Sequence, residues 1–222
     1  MPSYLIEVKE EIRRENDMID KYVKEQMGHV EEEPDRYEEV SHSERQALID
    51  ALKAKWPNLT LSLNGGDNDD ASACDVVVLA TPWDSAATTA KAHIDLLRGK
   101  VIISMANALV RVGHEFQPLL PPRGSVAAHV QAAVPECRVV AAFHHLPATE
   151  LGHLGDPIDS DVLICSDNAE ARTIVMDITA HIPGCRPLDA GELSNATAIE
   201  AFTAVLLQLN VRYKTRVAPK LT

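Results

Sequence analysis

The sequence lacks the features of membrane, secreted and nucleic-acid-binding proteins. None of its apolar runs is long enough to span a bilayer, and its N-terminus is acidic and amphipathic, unlike a signal peptide. The net charge of −12 disfavours nucleic acids and anionic membranes, because both bind basic surfaces. We therefore expect a cytoplasmic protein whose partners include neither nucleic acid nor membrane.

Cysteine pairs with the spacing of a metal site are also missing. Four cysteines lie far apart, each in or beside an apolar run: Cys74, Cys137, Cys165 and Cys185. Metal sites built from cysteine use closely spaced pairs, and no CxxC occurs here, so we predict no metal site. The cysteines are expected to be buried, reduced thiols.

A third absence concerns glycine. A dinucleotide-binding fold usually carries GxGxxG after its first strand, where glycines let backbone N–H groups approach the pyrophosphate. The ten glycines of this chain include no three with that spacing. If the chain binds a dinucleotide, it does so without the usual pyrophosphate-binding turn.

From residue 59 onward the sequence alternates regularly between strand and helix patterns. Short apolar runs predict strands at 59–63, 75–80, 100–105, 138–143 and 161–166, and a short strand with its turn at 185–191. Helical spacing with capping residues predicts helices at 85–99, 124–134, 168–182 and 194–213. This alternation is typical of an α/β protein with a Rossmann-like, doubly wound and mainly parallel sheet.

Residues 1–42 occupy the place of the first strand and its glycine turn, and two interpretations of them stay open. In one, they form a long acidic helix with an apolar stripe at Leu5, Val8, Ile12, Ile19, Tyr22 and Met27. In the other, strands at 4–8 and 36–40 flank a helix. We favour the helix, because a strand-to-helix reversal after Val8 needs a turn residue that the sequence does not supply. The predicted organisation is an atypical N-terminal helical segment at 1–42 and a Rossmann-like domain at 43–222.

Three loops of the predicted domain follow strands and should therefore meet at one edge of the sheet. They span residues 81–85, 106–113 and 144–150. Ligands of doubly wound sheets bind beyond the carboxyl ends of the strands, which is where these loops belong. The third loop opens with His144 and His145, and histidine is a frequent general acid, base or ligand contact.

Five segments resemble, in order, the NADPH-dependent coenzyme F-420 reductases, which are 8-hydroxy-5-deazaflavin:NADP oxidoreductases. The domain is also similar to the reductase domain of the STEAP proteins. The segments are ACDVVVLATPWDSA (73–86), KVIISMANAL (100–109), VVAAFHHLPA (139–148), DVLICSDNAEAR (161–172) and GCRPLDAGELSNATAIE (184–200). The last block is the most distinctive of the five, and the usual N-terminal glycine-rich segment has no counterpart.

The resemblance implies direct hydride transfer between NADP(H) and a deazaflavin, coenzyme F-420, held face to face by the protein. The cofactor-contacting positions implied by the matching motifs are Thr81, Pro82, Trp83, Asn107 and Ala148. His144 matches the family histidine that faces the deazaflavin and is the implied catalytic residue. His145 stands at an unrestricted position, and an ordinary packed or solvent-facing role is expected for it.

The resemblance further implies a Ser-Arg pair that binds the 2′-phosphate of NADP. Ser41 is retained, but His42 stands where the arginine is expected, and Arg45 could match a second family arginine one step out of register. A largely neutral histidine binds a phosphate less well than a bidentate guanidinium does. Ser41 and Arg45 are therefore the candidate contacts to the phosphate.

Two classes of function follow. The first is an oxidoreductase that transfers a hydride between NADP(H) and coenzyme F-420 or a flavin-type acceptor; the STEAP likeness adds ferric chelates to the possible acceptors. The alternative is a non-catalytic Rossmann-like binding or dimerising module that has lost pyrophosphate binding. The broad apolar face of the 194–213 helix packs either on the core or on a partner subunit, so a homodimer is possible.

Overall fold

The computed structural model describes residues 46, 50, 53–54, 66–113, 115–147 and 156–222. The chain divides into two units, Met1–Ala54 and Lys55–Thr222, and the architecture below is that of the second. The predicted helical segment at 1–42 and the predicted strand at 59–63 lie outside the described residues.

The described part of the second unit alternates strands and helices through most of its length. The strands are β1 Val76–Leu79, β2 Val101–Ser104, β3 Leu109–Val112, β4 Glu115–Pro118, β5 Arg138–Ala141, β6 Ser160–Ile164 and β7 Cys185–Asp189. The helices are α1 Asn68–Ser72, α2 Ala86–Ala92, α3 Ile94–Leu97, α4 Val126–Ala133, α5 Ala169–Ala180 and α6 Ala196–Tyr213, the last preceded by a 3₁₀ turn at Leu193–Asn195.

The central sheet is parallel, as the sequence predicted. β2 lies between β1 and β5, and the register aligns Leu79 with Ser104 and Ser104 with Ala141. Ala141 also forms an antiparallel bridge to Cys165, just after β6, and β6 pairs in parallel with β7. The carboxyl ends of β1, β2 and β5 therefore meet at one edge.

Both faces of this sheet are covered, which explains why its strands are continuous apolar runs rather than alternating ones. Ile102 and Val139 pack on one side with α2, α4 and the start of α6. Ile103 and Val140 pack on the other side against β6 and α5. Ser125 caps α4 through Ala128 N–H, as the sequence predicted, and Asn168 caps α5 through Ala171 N–H.

Two predicted elements differ from the structure. The helix predicted at 85–99 is two helices, α2 and α3, separated at His93, whose backbone leaves the helical region and whose Nδ1 lies 2.8 Å from the Thr89 carbonyl. The loop predicted at 106–113 contains β3, which forms an antiparallel hairpin with β4. Gly113, with φ of +60°, supplies the left-handed backbone of the hairpin turn.

Burial of the cysteines is only partly as expected. Cys137 and Cys165 are buried, and the Cys137 thiol donates to the Leu97 carbonyl at 3.1 Å. Cys185 is half-buried, but Cys74 is exposed, so the expectation is wrong for Cys74, which follows α1 instead of entering β1. No helix in the described part of the chain is long and apolar enough to cross a membrane.

The last residues of the chain are attached to the start of β6. Arg186 binds both carboxylate oxygens of Asp161, at 2.7 and 2.6 Å, and Leu221 N–H donates to the same carboxylate at 2.5 Å. Asp161 is buried, and its hydrogen bonds with Arg186 hold its pKa below the ordinary value. The Asp161–Arg186 pair thus fixes both β7 and the C-terminal residues to β6.

Candidate functional site

The candidate site lies at the edge where β1, β2 and β5 end. The register places Thr81 two residues beyond Leu79, and it places Asn107 and His144 three residues beyond Ser104 and Ala141. The loops predicted to bind ligands thus share an edge of the sheet. Two of them are directly bonded, because Asn107 Nδ2 donates to the His144 carbonyl at 3.1 Å.

His144 is buried, with 6% of its surface exposed; neither ring nitrogen makes a hydrogen bond of good geometry within the described residues, although the backbone of Met105 and Ala106 lies close to the ring. Burial lowers its pKa to about 3, with a further lowering from His145; the backbone of Ala106 and Met105 opposes this only in part. The imidazole is therefore neutral at physiological pH. It can offer one donor and one acceptor to a ligand, but it cannot supply a charge or a readily exchanged proton.

The turn that carries His144 begins with an unusual backbone conformation. Phe143 has φ of +66°, in the left-handed region that bulky residues seldom adopt. Such a conformation costs on the order of 1–3 kcal/mol and persists only where the surroundings enforce it. Unusual backbone of this kind is concentrated at binding and catalytic sites, which agrees with the position of His144.

Helix α6 provides those surroundings. The Thr203 hydroxyl donates to Asn107 Oδ1 at 2.9 Å and lies 3.5 Å from the His144 carbonyl. Both ends of the Asn107 amide are thus engaged, one with Thr203 and one with His144. The sequence predicted Asn107 as a cofactor contact; in the structure its amide joins two loops to α6 and keeps one N–H for a ligand.

His145 is a packed histidine, one of the two ordinary roles, packed or solvent-facing, that the sequence predicted for it. Its Nε2 lies 2.8 Å from the Ile199 carbonyl, and its ring meets the Phe202 ring edge-on with centroids 5.7 Å apart. Burial lowers its pKa, with the Ile199 carbonyl opposing the shift. His145 therefore attaches the loop to α6 beside the contact made by Thr203.

The loop after β1 is a tight turn. The Pro82 carbonyl accepts the Ser85 N–H at 3.2 Å and the Ser85 hydroxyl at 3.1 Å, and Trp83 packs against the core. The Thr81 hydroxyl is buried without a hydrogen-bond partner in the described residues, and Thr81 lines a cavity of about 80 Å³ beside β1. An unpartnered buried hydroxyl is costly unless a ligand or water satisfies it.

Three of the predicted contacts cannot be placed in this geometry. Ser41, Arg45 and Ala148 lie outside the described residues, so their roles stay predictions. The site that the structure describes consists of the loop at 81–83, Asn107 and His144, supported by α6.

The RPLDAG and LSN motifs are the most distinctive part of the sequence. In the structure their residues hold the start of α6 in place rather than forming a ligand-binding surface. Arg172 Nε lies 2.9 Å from Asp189, whose carboxylate also accepts Gly191 N–H at 2.8 Å. Asn195 Nδ2 donates to the Ala190 carbonyl at 2.6 Å, and Gly191 has φ of +81°. These contacts fix the entry to α6 and hence the position of Thr203.

Sequence reasoning missed two polar residues of α6. Thr203 and Glu200 stand in a largely apolar helix, and both are buried. The carboxylate of Glu200 accepts the first N–H groups of α4, from Val126 at 2.7 Å and Ala127 at 3.1 Å. Polar residues on the buried side of an amphipathic helix were the available signal, since such groups need partners.

Comparison with known proteins agrees with this architecture. The profile of coenzyme F420-dependent NADP oxidoreductases matches residues 34–108, and that of the Enkurin family, described as calmodulin-binding, matches residues 1–65. An F420-dependent NADP reductase of Methanocaldococcus jannaschii is 36% identical over 165 residues, which cover 73% of this chain and 74% of the relative. The metalloreductase STEAP3 of Rattus norvegicus is 33% identical over 113 residues, covering 51% of this chain and 22% of that protein.

Among solved structures, a proposed F420-dependent NADP reductase from Arthrobacter sp. FB24 has a TM-score of 0.59 at 24% identity, covering 69% of this chain and 74% of that one. The parallel sheet covered by helices on both faces, with its loops gathered at the carboxyl edge, defines an α/β protein of the Rossmann-like class. Within that class, the chain belongs to the F420-dependent NADP reductase family. The family resemblance and the fold class predicted from the sequence are confirmed.

Proposed function

We propose that the protein transfers a hydride between NADP(H) and coenzyme F-420. One observation carries the proposal beyond family membership: the loops after β1, β2 and β5 share an edge, and the loop of His144 is bonded to that of Asn107. Ligands of this fold class bind at such an edge. Bound together, the two cofactors supply the hydride donor and the hydride acceptor.

The residues at the edge suit two polar, ring-containing ligands. The Thr81 hydroxyl and the His144 ring make no hydrogen bond of good geometry in the described residues, so the hydroxyl can donate to or accept from a ligand, and the neutral imidazole can donate at one nitrogen and accept at the other. Thr81, Pro82 and Trp83 would lie beside the nicotinamide nucleotide, and His144 with Ala148 beside the deazaflavin. Ser41 and Arg45 are the proposed contacts to the 2′-phosphate.

In this reaction the protein positions the rings of the two cofactors and encloses them. Hydride transfer between stacked rings needs alignment and exclusion of water, and no charged side chain has to exchange a proton. His144 meets this requirement as a neutral imidazole, because its low pKa prevents it from adding a positive charge near the rings. Its bonds would orient the acceptor rather than activate it chemically.

Residues 1–42 are proposed to be a separate segment. The match to a family described as calmodulin-binding favours a binding role for the N-terminal part of the chain. Residues 1–65 contain nine basic and fifteen acidic side chains, whereas helices that bind calmodulin are basic. The charge therefore favours a partner with a basic or apolar surface over calmodulin.

A homodimer and a cytoplasmic location complete the proposal. Ala198, Phe202 and Val205 form an exposed stripe along α6, while Leu206 faces the core. Phe202 is 42% and Val205 is 49% exposed, which is a large apolar area for a free helix surface. A second copy of the chain, packed on this stripe of α6, would cover it.

The test of the reaction is a coupled titration of the purified full-length chain. NADPH and coenzyme F-420 are mixed with the protein, and both the nicotinamide and the deazaflavin absorbance are followed. We expect turnover with saturable dependence on both compounds. Flavin and ferric chelate are offered in parallel, and faster turnover with either would replace coenzyme F-420 as the acceptor.

Two histidine variants make the test specific. His144→Gln keeps a neutral hydrogen-bonding group but changes its shape, and we expect about a tenfold loss of kcat/KM, the size typical of one positioning contact. His181→Gln alters an exposed histidine at the end of α5 and should behave as the wild type. No saturable NADPH binding by the wild type would refute the proposal and favour the non-catalytic alternative.

A further inference from the structure

We propose that Thr203 is a positioning residue for this reaction: its hydroxyl, acting through the amide of Asn107, holds the turn that carries His144. The inference deepens the proposed hydride transfer and rests on it. Thr203 lies on α6, 59 residues after His144 and 96 after Asn107, so the contact joins three distant parts of the chain.

The direction of the hydrogen bonds defines a short relay. The Thr203 hydroxyl donates to Asn107 Oδ1 at 2.9 Å, and Asn107 Nδ2 donates to the backbone carbonyl of His144 at 3.1 Å. A hydroxyl has one proton, and its nearer acceptor is Asn107 rather than the His144 carbonyl at 3.5 Å. Thr203 thereby fixes the amide plane of Asn107, and the amide fixes the carbonyl at which the chain turns.

The turn needs this support because its backbone is strained. Phe143 has φ of +66°, immediately before His144. The carbonyl that Asn107 binds belongs to the next residue, so the bond acts directly on the unusual conformation. Without it, Phe143 is expected to relax toward negative φ and to carry the imidazole with it.

Helix α6 is a suitable anchor because it is held on two further sides. Glu200 binds the N-terminus of α4, and the Ile199 carbonyl meets Nε2 of His145 at 2.8 Å. Thr203 follows one turn later on the same helix. The hydroxyl consequently has a fixed position relative to both the core and the loop, which a residue on a mobile loop would not have.

The experiment compares three variants of the full-length protein. Thr203→Val removes the hydroxyl and keeps the branched shape, whereas Thr203→Ser restores a hydroxyl in the same place. Thr179→Val is the matched control, because Thr179 is also buried in a helix but its hydroxyl donates only to Val175 within that helix, at 2.7 Å. Thr179→Val thus removes a comparable hydrogen bond, but one that involves neither Asn107 nor the turn of His144.

The first measurement does not depend on activity. The imidazole signals of His144 are followed by NMR against pH, and His144→Gln identifies them among the nine histidines. In the wild type and in Thr179→Val, His144 should stay neutral down to about pH 4. In Thr203→Val the ring should become accessible and titrate toward the ordinary value near 6.5, and Thr203→Ser should restore the wild-type curve.

The second measurement is the reaction with NADPH and coenzyme F-420. We expect kcat to fall about tenfold in Thr203→Val while KM for NADPH changes less than about twofold, because the bond orients a reacting ring rather than binding the nucleotide. Thr203→Ser should recover most of kcat. A Thr203→Val protein that matches Thr179→Val in both the His144 titration and kcat would overturn the positioning role.

Failure of the proposed function gives a different result. If the wild type neither binds nor turns over the two cofactors, the hydride-transfer proposal fails, and the NMR comparison alone decides whether Thr203 holds the turn. If the wild type is active and Thr203→Val loses only thermal stability, with an unchanged His144 titration, the function stands and the relay is wrong. Each combination therefore supports or refutes a stated claim.

Discussion

Glu200 provides the sharpest test of how this fold is held together, because its burial and its hydrogen bonds act on its pKa in opposite directions. The side chain is 4% exposed and accepts two N–H groups at the start of α4. Those donors and the positive end of the helix favour the carboxylate. Burial penalises the same charge more strongly, and it raises the pKa of Glu200 to about 7.

The sign of the effect on stability follows from proton binding. In the unfolded chain Glu200 loses its proton above its ordinary pKa of 4.5, whereas the folded protein keeps that proton up to about pH 7. Between these values the folded state binds more protons, so this residue's contribution to the free energy of unfolding falls as pH rises. At about 1.4 kcal/mol per pH unit the full loss is on the order of 3 kcal/mol, complete above pH 7.

The substitution Glu200→Gln isolates this contribution. Glutamine is uncharged at all pH values and can accept through its amide oxygen, so its own contribution should not change with pH. His129, His144 and His145 have lowered pKa values and impose the opposite slope in acid, but they are present in both proteins and cancel in the difference. The Cys165 thiol, whose pKa is raised to about 12, stays uncharged throughout.

Urea unfolding of both proteins from pH 4.5 to 8 measures the difference directly. We expect the wild type to lose about 3 kcal/mol relative to Glu200→Gln across this range, with most of the loss between pH 5 and 7. Parallel curves would contradict the reasoning. A wild type that gains stability relative to the variant as pH rises would mean that the α4 amides outweigh burial and keep the carboxylate ionised.

Two further predictions concern the C-terminal residues and the surface of α6. Asp161→Asn should lower the free energy of unfolding by about 2 kcal/mol, because it weakens the buried hydrogen bonds to Arg186 and Leu221. The control is Asp159→Asn, which alters an exposed carboxylate and should cost less than about 1 kcal/mol. Equal urea midpoints for the two variants would refute this account. Val205→Glu should halve the mass measured by light scattering if a second copy covers the stripe of α6. The control is Val211→Glu, because Val211 is 57% exposed and lies on the opposite side of the helix; this variant should not change the mass. Loss of association in both variants, or in neither, would contradict the homodimer.

The sequence was sufficient for the core elements of the sheet and for the edge at which ligands bind. Runs such as 101–103 and 139–143 are apolar on every residue because both sheet faces are covered there, and this pattern is typical of parallel strands. The cap at Ser125 was equally clear, since its side chain binds the N–H group three residues ahead. These features depend on interactions between residues close together in the chain, so the local sequence predicts them.

Features that depend on distant contacts could not be predicted in this way. The hydrogen bond from Thr203 to Asn107 joins residues 96 positions apart, and the local sequence around either residue does not predict the contact with the other. The left-handed backbone of Phe143 has no local signal, because it is a bulky residue where glycine would be expected. The β3–β4 hairpin did have a signal in Gly113 between alternating runs, which we interpreted as a loop.

The deazaflavin side and the nucleotide side of the proposed site differ in the contacts that hold them, and this difference affects binding. Asn107, Thr203 and the contacts of α6 hold the turn of His144, which we propose lies beside the deazaflavin. On the nucleotide side, β1 pairs only with β2 in the described part of the chain, and Val78 is 50% exposed.

In such folds, backbone N–H groups of a glycine turn bind the pyrophosphate, and a bidentate arginine is well suited to the 2′-phosphate of NADP. This sequence has no GxGxxG and carries His42 in place of the expected arginine. We therefore predict that the protein binds NADP(H) more weakly than coenzyme F-420, because the sequence lacks both of these phosphate-binding features.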